Sequence, residues 1–124
     1  MQALNNDKLE LLELLEEKRK RQSFKMLDTF EPYSYQKAFV NASAKFITRF
    51  MMAGNRVGKS EAAAYEATIH ATGNYPDWWT GKHFAAPTRI LCAGVSNTSV
   101  RDIMQAKLIG EPTNRSMWGS GMIP

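Results

Sequence analysis

The feature that most constrains this chain is the segment at positions 53–60, Ala-Gly-Asn-Arg-Val-Gly-Lys-Ser. Apart from Ala53, which takes the place of the first glycine, the segment matches the phosphate-binding pattern G-x-x-x-x-G-K-[ST]. An apolar run rich in β-branched and aromatic residues precedes it at 45–52, and a run of helix formers follows at 61–71. This context predicts a phosphate-binding loop between a strand and a helix. The alternative is an ordinary strand–turn–helix connection with a surface lysine.

The chemistry of such loops assigns roles to particular residues. Backbone N–H groups of the loop, and the positive end of the helix that follows, attract phosphate oxygens. Gly54 and Gly58 allow the backbone to approach those oxygens because they carry no Cβ. Lys59 is expected to reach the β- and γ-phosphates, and the hydroxyl of Ser60 is expected to bind Mg²⁺.

Hydrophobic periodicity and Gly/Pro positions predict an α/β fold. The first predicted elements are a charged helix at 7–22 that starts at Asp7, a linker at 23–31, a helix at 33–44 and a strand at 45–52. A helix at 60–72 that ends at Gly73, a loop at 74–87 and a strand at 89–95 follow. The last predicted element is a helix at 99–109, which is capped by Ser99 with Asp102 and ends at Gly110. This order is a βαβα unit with parallel strands. Strand 89–95 is apolar on both faces, which is typical of a central, covered strand.

The domain organisation follows from this order. Two strands do not complete a sheet with helices on both faces, so residues 32–124 are expected to be the first portion of a larger domain. Residues 1–31 are predicted to form a separate helix and linker. They hold six basic and seven acidic residues, against ten basic and five acidic in 32–124. The positive excess suits a polyanion such as nucleotide or nucleic acid, and it equally suits a solvated surface.

The N-terminal helix allows two interpretations. Its leucines form a stripe that could pack on the chain's own domain or bind a partner chain; they are Leu4, Leu11, Leu12, Leu14 and Leu15. Glu16–Lys20 and Glu17–Arg21 are favourable pairs one turn apart. The basic run 18–21 lies at the C-terminal end of the helix, where it is expected to serve the helix dipole and solubility rather than nucleic acid.

Two further observations concern the environment of the protein. Cys92 is the single cysteine and lies in an apolar run, so it is expected to be a buried, reduced, structural thiol of a cytosolic protein. No apolar segment approaches the length that spans a bilayer, so neither export nor membrane anchoring is indicated.

Four segments, in this order and at this spacing, resemble the N-terminal part of the large terminase subunit of tailed double-stranded DNA bacteriophages. They are YSYQKAF at 33–39, RFMMAGNRVGKSEAAA at 49–64, TGNYPDWWTGKHF at 72–84 and ILCAGVSNTSVRDIMQAKLIG at 90–110. The resemblance covers roughly 32–124 and leaves helix 1–22 outside. It implies a parallel sheet with flanking helices, as in P-loop NTPases, with ATP and Mg²⁺ as cofactors. The partners that it implies are double-stranded DNA, the small terminase subunit and the portal protein, in a homo-oligomeric ring in the cytoplasm of the bacterial host.

The resemblance also implies site residues. The phosphates of ATP would be bound by Ala53, Gly54, Asn55, Arg56, Val57, Gly58, Lys59 and Ser60, with Ser60 on Mg²⁺ and with Lys59 and Arg56 in catalytic roles. Arg56 would stabilise charge on the γ-phosphate or sense its presence; alternatively it lies on the outer surface of the loop. Tyr35 and Gln36 resemble an adenine-recognition motif, or are ordinary members of their helix.

An aromatic pair in the loop at 74–87 also has two possible roles. Trp78 and Trp79, with Tyr75 and Phe84, would either stack on DNA bases or anchor the loop to the domain.

The chain departs from the family in its carboxylates. An ATPase of this family needs an apolar strand that ends in an acidic pair, and the candidates after the loop do not end one: Glu61, Glu66, Asp77, Asp102 and Glu111. Nor does the sequence cluster carboxylates for a two-metal nuclease. We therefore expect an ATP-binding fragment of a terminase motor, truncated before the acidic Walker B-type motif and not hydrolytic by itself.

Two alternatives remain at this point. One is a non-enzymatic remnant or interaction module that binds a partner or DNA through helix 1–22 and its basic face. The other is an unrelated phosphate-loop enzyme such as a small kinase, for which the sequence shows neither an acceptor-side acid nor a lid.

Overall fold

Helices are the regular secondary structure of residues 2–23 and 25–124, which the computed structural model describes, the side chains of residues 1–6, 20 and 22–24 excepted. The α-helices are α1 (Gln2–Ser23), α2 (Met26–Thr29), α3 (Ser34–Asn41), α4 (Lys59–Thr72), α5 (Asn97–Ser99) and α6 (Ala106–Ile109). A π-helical segment, Val100–Gln105, joins α5 to α6, and 3₁₀ turns occupy Ala42–Ala44 and Arg115–Met117.

The predicted parallel sheet is wrong, because the described residues form no β-strand and no sheet. The two segments predicted as strands, 45–52 and 89–95, instead place apolar side chains in solvent: Ile47 is 102 % exposed, Leu91 91 % and Val95 104 %. A β-branched, aromatic sequence favours a strand only where a neighbouring strand and a packed face are present. Here the helices supply the core, and these two segments run along the surface. Strand 89–95 is therefore not the central, covered element that its apolar pattern predicts.

The core forms on one face of α4. Ile69 in α4 is completely buried and packs in a cluster with Val40 of α3, Trp79 and Met122, each no more than 5 % exposed. Tyr65 lies between two further rings, with its centroid 5.0 Å from that of Phe30 and 6.1 Å from that of Trp78. The helix predicted at 60–72 is confirmed within one residue at its start.

Glycines end two helices as predicted, but the start of the α5–α6 helical region differs. Gly73 follows α4 with φ of 73°, and Gly110 follows α6 with φ of 100°. The region starts at Asn97 rather than at residue 99, because the Oγ of Ser96 accepts a hydrogen bond from the backbone N–H of Ser99 at 3.1 Å. The predicted capping box of Ser99 with Asp102 is therefore wrong.

Helix α1 is longer than predicted and presents its leucines to solvent. It begins at Gln2, so Asp7 does not start it. The leucines of the stripe whose side chains are described, together with Leu9, are 47–59 % exposed: Leu9, Leu11, Leu12, Leu14 and Leu15. The predicted pair of Arg21 with Glu17 is confirmed at 2.6 Å, whereas the side chains of Leu4 and Lys20 lie outside the described residues.

The segment predicted as a linker, 23–31, contains α2, and its Leu27 and Phe30 pack against the core. The domain boundary between residues 31 and 32 stays a prediction. Cys92 is only partly buried, in contrast to the prediction of a fully buried thiol. Within the part of the chain that the structure describes, no helix combines the length and the apolarity that crossing a membrane requires.

Candidate phosphate-binding site

A surface depression of about 400 Å³ lies over the glycine-rich loop. Its lining combines seven consecutive residues of the loop and α4 with one residue of α6: Asn55, Arg56, Val57, Gly58, Lys59, Ser60, Glu61 and Lys107. The depression thus lies where the loop enters α4. Ala53 and Gly54 lie at the start of the loop and meet the site through their carbonyl oxygens, which the ammonium of Lys59 contacts.

Gly58 is where the loop becomes helix. Its φ of 79° and ψ of 24° place it in the left-handed region, and it precedes the first residue of α4. A Cβ at this position would lie 2.6 Å from the Nε2 of Gln36, so the site requires glycine for both conformation and space. Among the described residues, no side chain caps the N-terminus of α4, which leaves the positive end of a 14-residue helix directed at the depression.

The side chain of Lys59 contacts the start of the loop. Its ammonium donates hydrogen bonds to the carbonyl oxygen of Ala53, at 2.6 Å, and to that of Gly54. A cation is thereby held inside the loop by two neutral acceptors. A phosphate oxygen is a stronger acceptor for an ammonium than a carbonyl is, so an anion that enters the depression competes for this cation.

Two other loop residues have solvent-exposed side chains at the depression. Arg56 has a φ of 59°, the one positive φ of a non-glycine residue in the described part of the chain. This conformation costs roughly 1 kcal/mol for a residue with a Cβ. Ser60 is exposed in the first turn of α4. The roles predicted for Arg56 on the γ-phosphate and for Ser60 on Mg²⁺ stay predictions.

Tyr35 and Gln36, at the start of α3, contact the same loop. The hydroxyl of Tyr35 donates to the carbonyl oxygen of Val57, and the Nε2 of Gln36 donates to that of Gly58 at 2.9 Å. The structure therefore brings the predicted adenine-recognition pair to the loop that lies 22 residues later.

The sequence prediction did not include Lys107, which lies at the edge of the depression. Its ammonium forms an ion pair with the carboxylate of Glu61, and the two side chains are 31 % and 35 % exposed. The pair joins α6 to the first turn of α4. The two residues are 46 positions apart, so no local pattern indicates the contact.

Arg49 was also not predicted, and it fixes the segment that leads into the loop. Its guanidinium donates to the carboxylate of Glu66, at 2.5 Å, and to the carbonyl oxygens of Phe39 and Val40, at 2.8 and 3.3 Å. Both side chains of the ion pair are less than a fifth exposed. One side chain thus joins the end of α3, the middle of α4 and the chain before the loop. The isolated charge in an otherwise apolar run was the available signal.

His70 borders this ion pair. Its Nε2 lies 3.6 Å from Glu66, and its Nδ1 lies 3.1 Å from the hydroxyl of Tyr75. Burial lowers the pKa of His70; Glu66 acts in the opposite direction, and the positive charges of Arg49 and His83 add to the lowering.

The aromatic pair in the loop at 74–87 anchors that loop to the domain. Trp79 is 5 % exposed, and its indole N–H donates to the carbonyl oxygen of Lys82 at 3.2 Å. Trp78 stacks on Tyr65. Among the residues that the structure describes, no three His, Cys, Asp or Glu side chains lie close enough together to hold a metal ion.

Comparison with known proteins places the chain in a family. Residues 50–119, more than half of the chain, match the family described as terminase large subunit, T4likevirus-type, N-terminal. The chain therefore belongs to the family of terminase large subunits, as the resemblance in sequence predicted. It is also 35 % identical over 132 aligned positions to the terminase large subunit of Salmonella phage P22. That match covers 97 % of this chain and 26 % of the phage P22 protein, so the chain spans about a quarter of its relative's length. No solved structure matches the chain.

Proposed function

We propose that this chain is the nucleotide-binding segment of a DNA-packaging terminase motor and that residues 53–60 bind the phosphates of ATP with Mg²⁺. The observation that supports this most is the position of Lys59. Its ammonium lies inside a glycine-rich loop, at the uncapped N-terminus of α4. Membership of the terminase large subunit family adds support.

The residues of the loop would act in a defined order. A triphosphate in the depression draws the ammonium of Lys59 away from the carbonyl oxygens of Ala53 and Gly54. Backbone N–H groups at the start of α4 then donate to the phosphate oxygens. The hydroxyl of Ser60 supplies an oxygen ligand for Mg²⁺, which when bound neutralises phosphate charge. Arg56 extends from the edge of the depression toward the terminal phosphate.

Binding without turnover is part of the proposal. Glu61 is the carboxylate among the residues that line the depression, and it is paired with Lys107. A paired carboxylate is a poor base for activating water. The activity of a whole motor is proposed from membership of the family alone. The same holds for its partners, which are double-stranded DNA, the small terminase subunit and the portal protein, in a homo-oligomeric ring.

Calorimetric titration with Mg-ATP tests the loop. Lys59→Ala removes the cation, and Gly58→Val places a branched side chain against Gln36, so each variant is expected to weaken binding by roughly 1–3 kcal/mol. Lys45→Ala removes an exposed lysine outside the loop and is the matched control. Equal affinity in the wild type and both loop variants would end the assignment.

The exposed leucines of α1 support a second candidate function, the binding of a partner chain. Four leucines of the stripe, Leu11, Leu12, Leu14 and Leu15, are about half exposed and form an apolar surface on one helix. Substitution of Leu11 and Leu15 by glutamine is then expected to abolish association in sedimentation without a change in Mg-ATP affinity. Unchanged association would exclude these leucines from the contact.

A further inference from the structure

The side-chain amide of Gln36 hydrogen-bonds to the protein through both its oxygen and its nitrogen. Its Oε1 accepts from the backbone N–H of Tyr33 at 2.8 Å, and its Nε2 donates to the carbonyl oxygen of Gly58 at 2.9 Å. The residue is 1 % exposed. A nucleobase therefore has no access to this amide in the present conformation. Neither Gln36 nor Tyr35 lines the depression over the loop.

The two residues fix two successive peptide groups of the loop. Tyr35 holds the carbonyl group of Val57, and Gln36 holds that of Gly58. A trans peptide group directs its N–H opposite to its C=O. The N–H groups of Gly58 and Lys59 are consequently directed away from α3. These are the donors that a phosphate-binding loop needs on the side of its ligand.

The carbonyl group of Gly58 is held by two donors. Its carbonyl oxygen accepts from the N–H of Ala62, at 3.0 Å, as well as from Gln36, so it starts the hydrogen bonding of α4. The left-handed conformation of a glycine is one of several open to it, and a hydrogen bond at that residue selects one.

We propose that Tyr35 and Gln36 are positioning residues, which orient the N–H groups of Gly58 and Lys59 toward phosphate and do not bind the base. This inference rests on the proposed function of the loop. Its consequence is that the loss of either contact weakens the binding of any triphosphate, whatever base the ligand carries.

Titration of one variant with three ligands tests the inference. Gln36→Leu, which has a similar size and no hydrogen-bonding group, is titrated with Mg-ATP, Mg-GTP and magnesium tripolyphosphate, at a temperature where circular dichroism shows it folded. The expected result is a loss of about tenfold for all three ligands, since one hydrogen bond is lost in each case. Lys59→Ala is the reference for binding through the loop.

The outcomes distinguish binding of the base by Gln36 from positioning of the loop by Gln36. A loss confined to Mg-ATP, with tripolyphosphate unchanged, would show that Gln36 binds the base and would overturn the inference. Unchanged affinity for all three ligands would overturn it as well. Binding of wild type that does not depend on Lys59 would instead remove the proposed function on which the inference rests.

Tyr35→Phe tests the positioning role if Gln36→Leu does not fold. It removes one hydroxyl and is expected to weaken all three ligands by a common factor. Tyr33→Phe is the matched control, because Tyr33 stacks on Tyr35 with 5.8 Å between ring centroids and is 67 % exposed. Equal affinities in Tyr35→Phe and Tyr33→Phe would contradict the inference.

A pH profile separates positioning of the loop from a purely structural role. In Gln36→Glu, an ionised carboxylate cannot donate to the carbonyl oxygen of Gly58, whereas the protonated acid can. Burial raises the pKa of a carboxyl group at such a site. The deficit in tripolyphosphate affinity, relative to wild type at the same pH, is therefore expected to shrink between pH 8 and pH 6. A deficit independent of pH would contradict the role of this donor.

Discussion

Helix α4, which follows the phosphate loop, packs into the core, whereas the two apolar segments predicted as strands, 45–52 and 89–95, place apolar side chains in solvent. In α4, which follows the loop, Ile69 is 0 % and Tyr65 4 % exposed. In the two apolar segments, Ile47 is 102 % and Leu91 91 % exposed. The contacts that shape the loop come from α3 and α4. The loop of this chain is therefore positioned by helices, and its geometry does not require the apolar segments to be covered.

Truncation of the same residue type in the two regions gives the largest contrast. Ile69→Ala is expected to lower the free energy of unfolding by roughly 2–5 kcal/mol, because it leaves a cavity in the core. Ile47→Ala is expected to change it by less than about 0.5 kcal/mol. Urea unfolding followed by tryptophan fluorescence measures both. Similar losses in the two variants would show that Ile47 is covered in solution.

Two arginine ion pairs provide a second contrast. Arg49→Met breaks contacts to Glu66 and to two carbonyl groups at a site less than a fifth exposed, and it is expected to cost roughly 1.5–3 kcal/mol. Arg21→Met removes an exposed pair with Glu17 and is expected to cost less than about 0.5 kcal/mol. Chemical unfolding of both variants decides whether the segment before the loop is fixed as strongly as the contacts of Arg49 imply.

The pH dependence of stability tests the environment of His70. Its pKa is lowered by burial from the ordinary value of 6.5, so the unfolded chain binds a proton more readily than the folded chain does. The contribution of His70 to stability is therefore complete above pH 6.5 and is lost as the pH falls below that value. His70→Gln is expected to flatten the decline between pH 7.5 and pH 5 in thermal melting, compared with the wild type over the same range. A decline that is equally steep in His70→Gln would assign it to other groups.

The exposed apolar segments are expected to contribute least to folding but measurably to association. Ile47→Ser together with Leu91→Ser removes two fully exposed apolar side chains. The double variant is expected to lower self-association in sedimentation velocity and to leave the unfolding midpoint within experimental error. A lower midpoint would contradict the exposed placement of these residues.

Local signals in the sequence predicted the helices well. Gly73 and Gly110 end α4 and α6 because glycine adopts positive φ without a steric penalty, and that property can be recognised from the sequence alone. The phosphate-binding pattern predicted a loop that leads into a helix, and α4 begins at Lys59, directly after Gly58. The start of the α5–α6 region was missed because Ser96 and Ser99 are both good capping residues, and the choice between them depends on the path of the preceding chain.

The larger errors concern contacts between distant residues. Segments 45–52 and 89–95 have strand-forming sequences, but pairing requires neighbours that no local pattern specifies. Lys107 with Glu61, and Arg49 with Glu66, join residues that are far apart in the sequence, so neither pair was predicted. Tyr35 and Gln36 were predicted as site residues through resemblance, whereas their contacts with the loop carbonyls became visible only in the structure.

Hydrogen–deuterium exchange with and without Mg-ATP tests whether the loop at 53–60 binds a triphosphate. We expect slower exchange in peptides that cover residues 54–62, no change at 46–52 and 90–95, and no change anywhere in Lys59→Ala. Protection at 90–95 without protection at 54–62, or protection that persists in Lys59→Ala, would contradict a triphosphate site at the loop.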